Sequence, residues 1–324
     1  MINVSILVLR NAVVASIADA RYVFTMVNSF LKEKGQKSLF NVQLVGLTKE
    51  VKFNDGSFVI RTDKLLNEAT QNDLIIIPSL EGIMTVSVHL NMAFANWIAE
   101  NYKEGAEVAG LSSGVFLLAF SGLLKGRECT THWLYANELK YFYPSIHVVD
   151  EKIITDQHGL YSSGGSTAYW NLLMHLVEKY AGREIAVYAA KYFVIDLNKN
   201  FQSPFIIFHG LKDHEDAPIK EAQTYIEHHY KDKLTVDHLA HQFNMTRRTF
   251  ERRFKKATRN TVAEYIQRVK IEGAKKQLEV GRKTINEVMI NVGYSDTQTF
   301  RNIFKRITGL TPVDYKNKYS RKVR

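Results

Sequence analysis

Cysteine and long apolar runs are both scarce in this sequence. Cys129 is the only cysteine, which excludes an internal disulfide framework and any multi-cysteine metal centre. No stretch approaches the roughly 18 uncharged apolar residues that a membrane span needs. The opening residues, MINVSILVLRNAVVAS, lack the basic start of a secretory signal, and Arg10 interrupts their apolar run. They read as a first buried strand, and a cytoplasmic protein with no membrane attachment is the expectation. A glycine-rich phosphate loop is missing too, since Gly164-Gly165 is too short a signal for nucleotide binding. His228-His229 and His238/His241 find no convincing third ligand, so neither a metal nor any other cofactor is expected.

What is present is ordinary globular composition, with 45% hydrophobic and 23% charged residues in 324, enough for two domains. The charge is unevenly placed. Residues 216–324 hold 24 Lys+Arg against 12 Asp+Glu, whereas the whole chain has a net charge of +10. All the excess positive charge therefore lies in the last third. A basic segment beside a near-neutral one points to a polyanion-binding module joined to something else. On charge alone, a merely solubilising surface competes with that reading.

The first 200 or so residues alternate strand-like and helix-like segments. Short apolar runs at 4–9, 42–47 and 74–78 suit parallel strands buried on both faces. Segments 17–34, 86–102, 114–123 and 167–180 are long enough for helices, and a short strand at 108–111 leads straight into Ser112. This rhythm predicts an α/β sandwich around a mostly parallel sheet, with ligands at the carboxyl ends of the strands. The first domain is expected to occupy 1–208. The polar stretch HGLKDHEDAP, 209–218, reads as a linker, and 219–324 as an all-α domain.

The all-α part repeats itself. Thr249-Phe250, Phe254-Lys255, Thr258, Thr261 and Tyr265 recur 50 residues later as Thr299-Phe300, Phe304-Lys305, Thr308, Thr311 and Tyr315. Seven matches in one register indicate a duplicated supersecondary unit. Each copy predicts a helix-turn-helix, at 236–256 and at 285–306. Asn244 and Gly293 suit the turns; Thr246 caps one second helix, and Ser295 or Asp296 the other. The Phe-x3-Phe pairs face the core. Outward lie Arg247, Arg248, Glu251, Arg252, Lys255 and Lys256, and in the second copy Thr297, Gln298, Arg301, Asn302, Lys305 and Arg306. Arg pairs with guanine and Gln with adenine, so Arg247, Arg248, Arg252, Thr297, Gln298 and Arg301 are candidates for base contacts. Lys255, Lys256, Arg259, Lys305 and Arg306 suit phosphates. Double-stranded DNA is the expected partner. The helix at 262–281 between the copies, with apolar Tyr265, Ile266, Val269 and Leu278, would space two reading helices about one DNA turn, ~34 Å, apart.

Residues 219–320 resemble the AraC/XylS-type DNA-binding domain. The strongest portion is INEVMINVGYSDTQTFRNIFKRITGLTPVDY, 285–315, with its Gly-aromatic-Ser turn and Gly-x-Thr-Pro-x2-Tyr close. The resemblance implies a sequence-specific transcription regulator whose other domain senses a small-molecule effector, forms a homodimer, or does both. Segments 167–180 and 185–194 offer apolar residues for an interface, or equally for the core.

Residues 3–196 resemble the PfpI-type branch of the flavodoxin-like, class I glutamine amidotransferase-like fold. The match rests on EVAGLSSGVFLLA (107–119), LLKGRECTTHW (123–133), SGGSTA (163–168) and GRE (182–184). Catalytic members of that fold place cysteine at the strand–helix elbow, where Ser112 stands here, and their acidic residue aligns with Tyr22, with Asp19 close by. A serine there needs an adjacent base, for which His132 is the candidate. A non-catalytic module is therefore expected, with Ser112, Ser113, the amide of Gly114, His132 and Ser166 around a small pocket. The helix terminus would favour an anionic or carbonyl-bearing ligand. The alternative is a hydrolase or amidotransferase-like enzyme using Ser112, with an accessory DNA-binding domain.

Overall fold

A computed structural model describes residues 1–320. The chain divides after Gln202 into two compact units.

The first unit opens with β1 (Ile2–Leu7), α1 (Val14–Glu33) and β2 (Phe40–Gly46). A hairpin follows, β3 (Glu50–Phe53) and β4 (Phe58–Arg61), turning at Asp55-Gly56, then β5 (Lys64–Leu65) and β6 (Leu74–Ile77). Next come α2 (Met84–Leu90), α3 (Ala93–Lys103), β7 (Glu107–Gly110) and α4 (Val115–Phe120). The remainder is β8 (Glu128–Cys129), α5 (Ala136–Phe142), β9 (His147–Val148), β10 (Ile154–Gln157), β11 (Leu160–Ser163), α6 (Tyr169–Ala181) and α7 (Arg183–Phe193). The seven-stranded sheet has the order β10-β11-β7-β6-β1-β2-β5. Only the β10–β11 pair in it is antiparallel. Every residue of β6 is buried, as its unbroken apolar run requires of a central parallel strand. Helices α1, α6 and α7 pack with one another, and α4 with α2 and α3, completing the α/β sandwich.

The single helix expected at 86–102 is two. Asn91 explains the break: its amide donates to the carbonyls of Ser87 and Arg10, and its Oδ1 accepts from the Arg10 amide. A side chain that bonds backbone outside its own helix competes with helical continuation.

The second unit contains α8 (Ala217–His228), α9 (Val236–Gln242), α10 (Arg247–Thr258), α11 (Val262–Val280), α12 (Ile285–Asn291), α13 (Thr297–Thr308) and α14 (Pro312–Tyr319). The duplication extends to its packing. Phe250, Phe254 and Tyr265 centre one core, and Phe300, Phe304 and Tyr315 the other. Tyr265 donates to Glu227 at 2.6 Å and Tyr315 to Glu279 at 2.7 Å, in each copy a carboxylate on the helix that precedes the helix-turn-helix pair. Helix α11 serves both cores, its first half through Val262 and Ile266 and its second through Ile271 and Leu278.

The domain boundary differs from the sequence expectation of 208, and residues 209–218 are not a free linker. The Phe208 ring lies 5.1 Å from that of Tyr265, and Gln223 donates to the Leu211 carbonyl at 2.9 Å. Asp216 caps α8 and pairs with Arg253 at 2.6 Å. The stretch is polar because it carries the partners that fasten it, and polarity alone read as solvation.

Candidate functional site

The second helix of each pair, α10 and α13, is held by local chemistry. Asn244 at φ +53° and Gly293 at φ +77° make the left-handed turns. The Thr246 hydroxyl accepts from the Thr249 amide to start α10, and Asp296 Oδ1 accepts from the Thr299 amide at 2.7 Å to start α13. Such caps stabilise a helix by about 1 kcal/mol each. With Phe250, Phe254, Phe300 and Phe304 buried, the opposite faces turn to solvent.

The structure places Arg247, Arg248, Arg252, Lys255 and Lys256 exposed on α10, and Gln298, Arg301, Lys305 and Arg306 exposed on α13. Thr297 is half-buried at the start of α13. They differ in how far neighbours engage them. Arg247 is ion-paired with Asp237 at 3.0 Å and Glu251 at 3.4 Å. Gln298 donates to Asn302 at 3.1 Å, and Arg306 to Gln267 at 2.5 Å. Arg248, Arg252, Lys255, Lys256, Arg301 and Lys305 have no ion pair among the described residues. Arg259, also exposed, caps α10 at φ +59°, a conformation that disfavours any residue with a Cβ; the second copy has Gly309 there. A cation at that end faces the orphan carbonyls of the helix, which favour positive charge. Sequence reasoning missed Arg253, which turns away from its neighbours to pair with Asp216.

At the elbow, Ser112 sits at φ +53° and is 1% exposed. Its amide donates to Ser163 Oγ at 2.9 Å and its carbonyl accepts from Thr131 Oγ1 at 2.9 Å. Ser113 Oγ is shared between Ser79 Oγ at 2.8 Å and the Leu80 amide and carbonyl. The Gly114 amide donates to the Leu111 carbonyl at 2.8 Å. Ser113 and the Gly114 amide are thus spent on holding the elbow, and Ser166 lies exposed in a turn. His132 Nδ1 accepts from the Leu134 amide at 3.1 Å, and burial pulls its pKa below the usual histidine range. No hydrogen bond joins it to the Ser112 hydroxyl among the described residues. The first-helix residue linked to the elbow is neither Tyr22 nor Asp19. Tyr22 is exposed and its hydroxyl meets that of Tyr192, while Asp19 accepts from Tyr169 at 2.7 Å. Ser16 reaches it indirectly, accepting from the Ser79 amide at 3.0 Å, while the Ser79 hydroxyl meets that of Ser113 at 2.8 Å. Helix α1 begins earlier than the expected 17, which brings Ser16 into its first turn.

The DJ-1/PfpI family pattern matches residues 13–179, just over half of the chain. The chain belongs to the DJ-1/PfpI family. A helix-turn-helix domain pattern matches residues 239–318, so the second unit carries an AraC-type domain. The HTH-type transcriptional regulator GbdR of Pseudomonas aeruginosa is 24% identical over 96% of this chain and 83% of its own. A solved AraC family transcriptional regulator from Pseudomonas putida covers 60% of this chain and 100% of its own at a TM-score of 0.51 and 17% identity. Drosophila melanogaster DJ-1beta covers 60% of this chain and 98% of its own at a TM-score of 0.50 and 17% identity. The two structural likenesses are likenesses of fold. Among the described residues no helix is long and apolar enough to cross a membrane.

In this member of the family the one thiol lies away from the elbow. Cys129 is fully buried in β8, and burial pushes its pKa up to about 12. The thiolate is the reactive form, so Cys129 is expected to stay unlabelled by a thiol-reactive disulfide reagent at pH 8 and to react fully once denaturant is added. Rapid labelling of the native chain would contradict this placement.

Proposed function

We propose that this protein is a transcription regulator. Its second unit binds double-stranded DNA through α10 and α13. Its first unit is a non-catalytic module that senses a small molecule, pairs two copies of the chain, or both. The observation that carries this reading is the duplicated pair of capped helices, each turning phenylalanines inward and cations outward, most of the cations without an acidic partner. Unpaired cations along a groove-sized helix are what a polyphosphate backbone neutralises. Arg247, Arg248, Arg252, Thr297, Gln298 and Arg301 take base edges, and Lys255, Lys256, Arg259, Lys305 and Arg306 take phosphates.

The test is selection of bound fragments from genomic DNA by the full chain, followed by two substitutions. Arg301→Ala is expected to relax preference at one base position, costing about 1–3 kcal/mol there. Lys305→Ala is expected to weaken every sequence by a similar factor. Recovery of fragments with no common sequence would overturn the reading.

The left-handed backbone at Ser112 is the observation that favours a second reading, a serine-dependent hydrolase. Against it stand the spent amides of the elbow and a histidine already committed to capping. Turnover of an ester library by the native chain, abolished by Ser112→Ala, would decide for the enzyme.

A further inference from the structure

The DNA-binding reading uses the outward cations and does not account for the buried Lys270, which, unlike the buried Lys275 with its Glu272 partner, has no ion pair among the described residues. Lys270, in the middle of α11, is 7% exposed. Its ammonium donates to two backbone carbonyls from different halves of the second unit. One is Asp232, in the loop between α8 and α9, at 3.3 Å; the other is Gly293, the turn residue between α12 and α13, at 3.1 Å. It also lies 5.4 Å from the centre of the Tyr294 ring. A buried ammonium is costly unless its donors are used, and here two of them join the first half to the turn of the second.

The two halves also meet directly. A Cβ at Gly293 would stand 2.4 Å from the Lys231 carbonyl oxygen and 2.6 Å from Lys270 Nζ. The first copy shows that a left-handed turn tolerates asparagine, for Asn244 occupies the equivalent position at φ +53°. Close approach of the first half is therefore what demands glycine at 293, beyond its φ. Next to this contact, a Cβ at Gly273 would stand 2.6 Å from the Tyr230 ring, and Tyr230 packs against both cores. Glycine inside a helix is unfavourable, and its presence in α11 makes room for that ring.

We propose that Lys270 is a positioning residue for DNA recognition, locking the turn of the second helix-turn-helix onto the first half so that α10 and α13 read DNA at one fixed spacing. The proposal rests on the DNA-binding reading. A locked pair must be sensitive to phase, because one inserted base pair moves the second segment by roughly 3.4 Å and turns it by about 35°. A loosened pair tolerates such shifts, at the expense of affinity for the native arrangement.

The experiment uses the full chain and the best site from genomic selection, with derivatives carrying one or two base pairs inserted or deleted between the segments read by α10 and α13. The unmodified protein is expected to lose about 10-fold or more in affinity per inserted pair, as a mis-set half forfeits base contacts. Lys270→Met is expected to bind the native spacing about 10-fold more weakly and to lose less than about 3-fold on insertion, while Lys270→Arg, which keeps donors for both carbonyls, restores the sharp profile. Gly293→Asn reaches the same seam with a residue that accepts the turn, and is expected to flatten the profile likewise, which keeps the test alive if Lys270→Met does not fold. A profile that keeps its shape while dropping by one common factor, in whichever variant folds, overturns the proposal. So does native-spacing affinity that does not change. Failure of the unmodified chain to select any sequence would instead overturn the DNA-binding reading itself.

Discussion

Replacing Gly114 with alanine is expected to lower the melting temperature of the first unit by roughly 6–12 °C, corresponding to about 3 kcal/mol for a unit of this size. The added Cβ would stand 2.3 Å from the Pro78 carbonyl oxygen and 2.8 Å from that of Ile77. Those atoms belong to the end of β6 and the residue after it, fixed in the middle of the sheet between β1 and β7, so neither can retreat cheaply. The helix start must move instead, and Ser113 would lose its bonds to Ser79 and Leu80. Gly122→Ala is the control. It sits at φ +83° with open space around it, so it suffers only backbone strain of about 1 kcal/mol, or roughly 2–4 °C. All three tryptophans, Trp97, Trp133 and Trp170, lie in the first unit, so their fluorescence during thermal unfolding reports that unit alone. Equal shifts for the two variants would show that close approach is not what requires glycine at 114.

What the sequence reveals and what it hides divide along range. The caps at Thr246 and Asp296, the turns at Asn244 and Gly293 and the inward phenylalanines all depend on residues within a few positions, and they were legible together with the α/β rhythm. The break at Asn91 was not, because its partner is the loop at Arg10, on another element. The fastening of residues 203–216 was hidden for the same reason. Lys275 donates to the Ile206 carbonyl and Glu272 accepts from the Phe208 amide at 3.1 Å, bonds that carry no periodic signature. Nothing in the sequence marks Lys270 and Lys275 as buried, since composition cannot tell a solvated lysine from one whose donors end on distant carbonyls. At the elbow the segment was recognisable but its occupancy was not. Which hydroxyls are spent depends on Ser79 and Ser163, brought there by strands far apart in the chain.

DNA binding by the full chain is expected to fall on the order of 500-fold between 50 and 200 mM salt, because each phosphate contact contributes a slope of about −0.9 to log affinity against log salt and five cations are assigned to phosphates. The assignment separates residues that otherwise look alike. Lys305→Ala should make the slope shallower by about 0.9, whereas Arg301→Ala should reduce affinity and leave the slope alone, since a base contact releases no condensed counterion. Lys270→Met should also leave it alone, because that ammonium is buried against carbonyls and meets no phosphate. Arg306 is the informative case. Its guanidinium donates to Gln267. If it keeps that partner on DNA, four contacts remain and the fall shrinks to about 150-fold; Gln267→Ala would then free it and steepen the slope by one contact's worth. Binding isotherms at five salt concentrations distinguish these cases. A slope shallower than about −2 would mean that α10 and α13 do not both lie along the phosphate backbone, since either helix alone supplies at least two of the assigned cations.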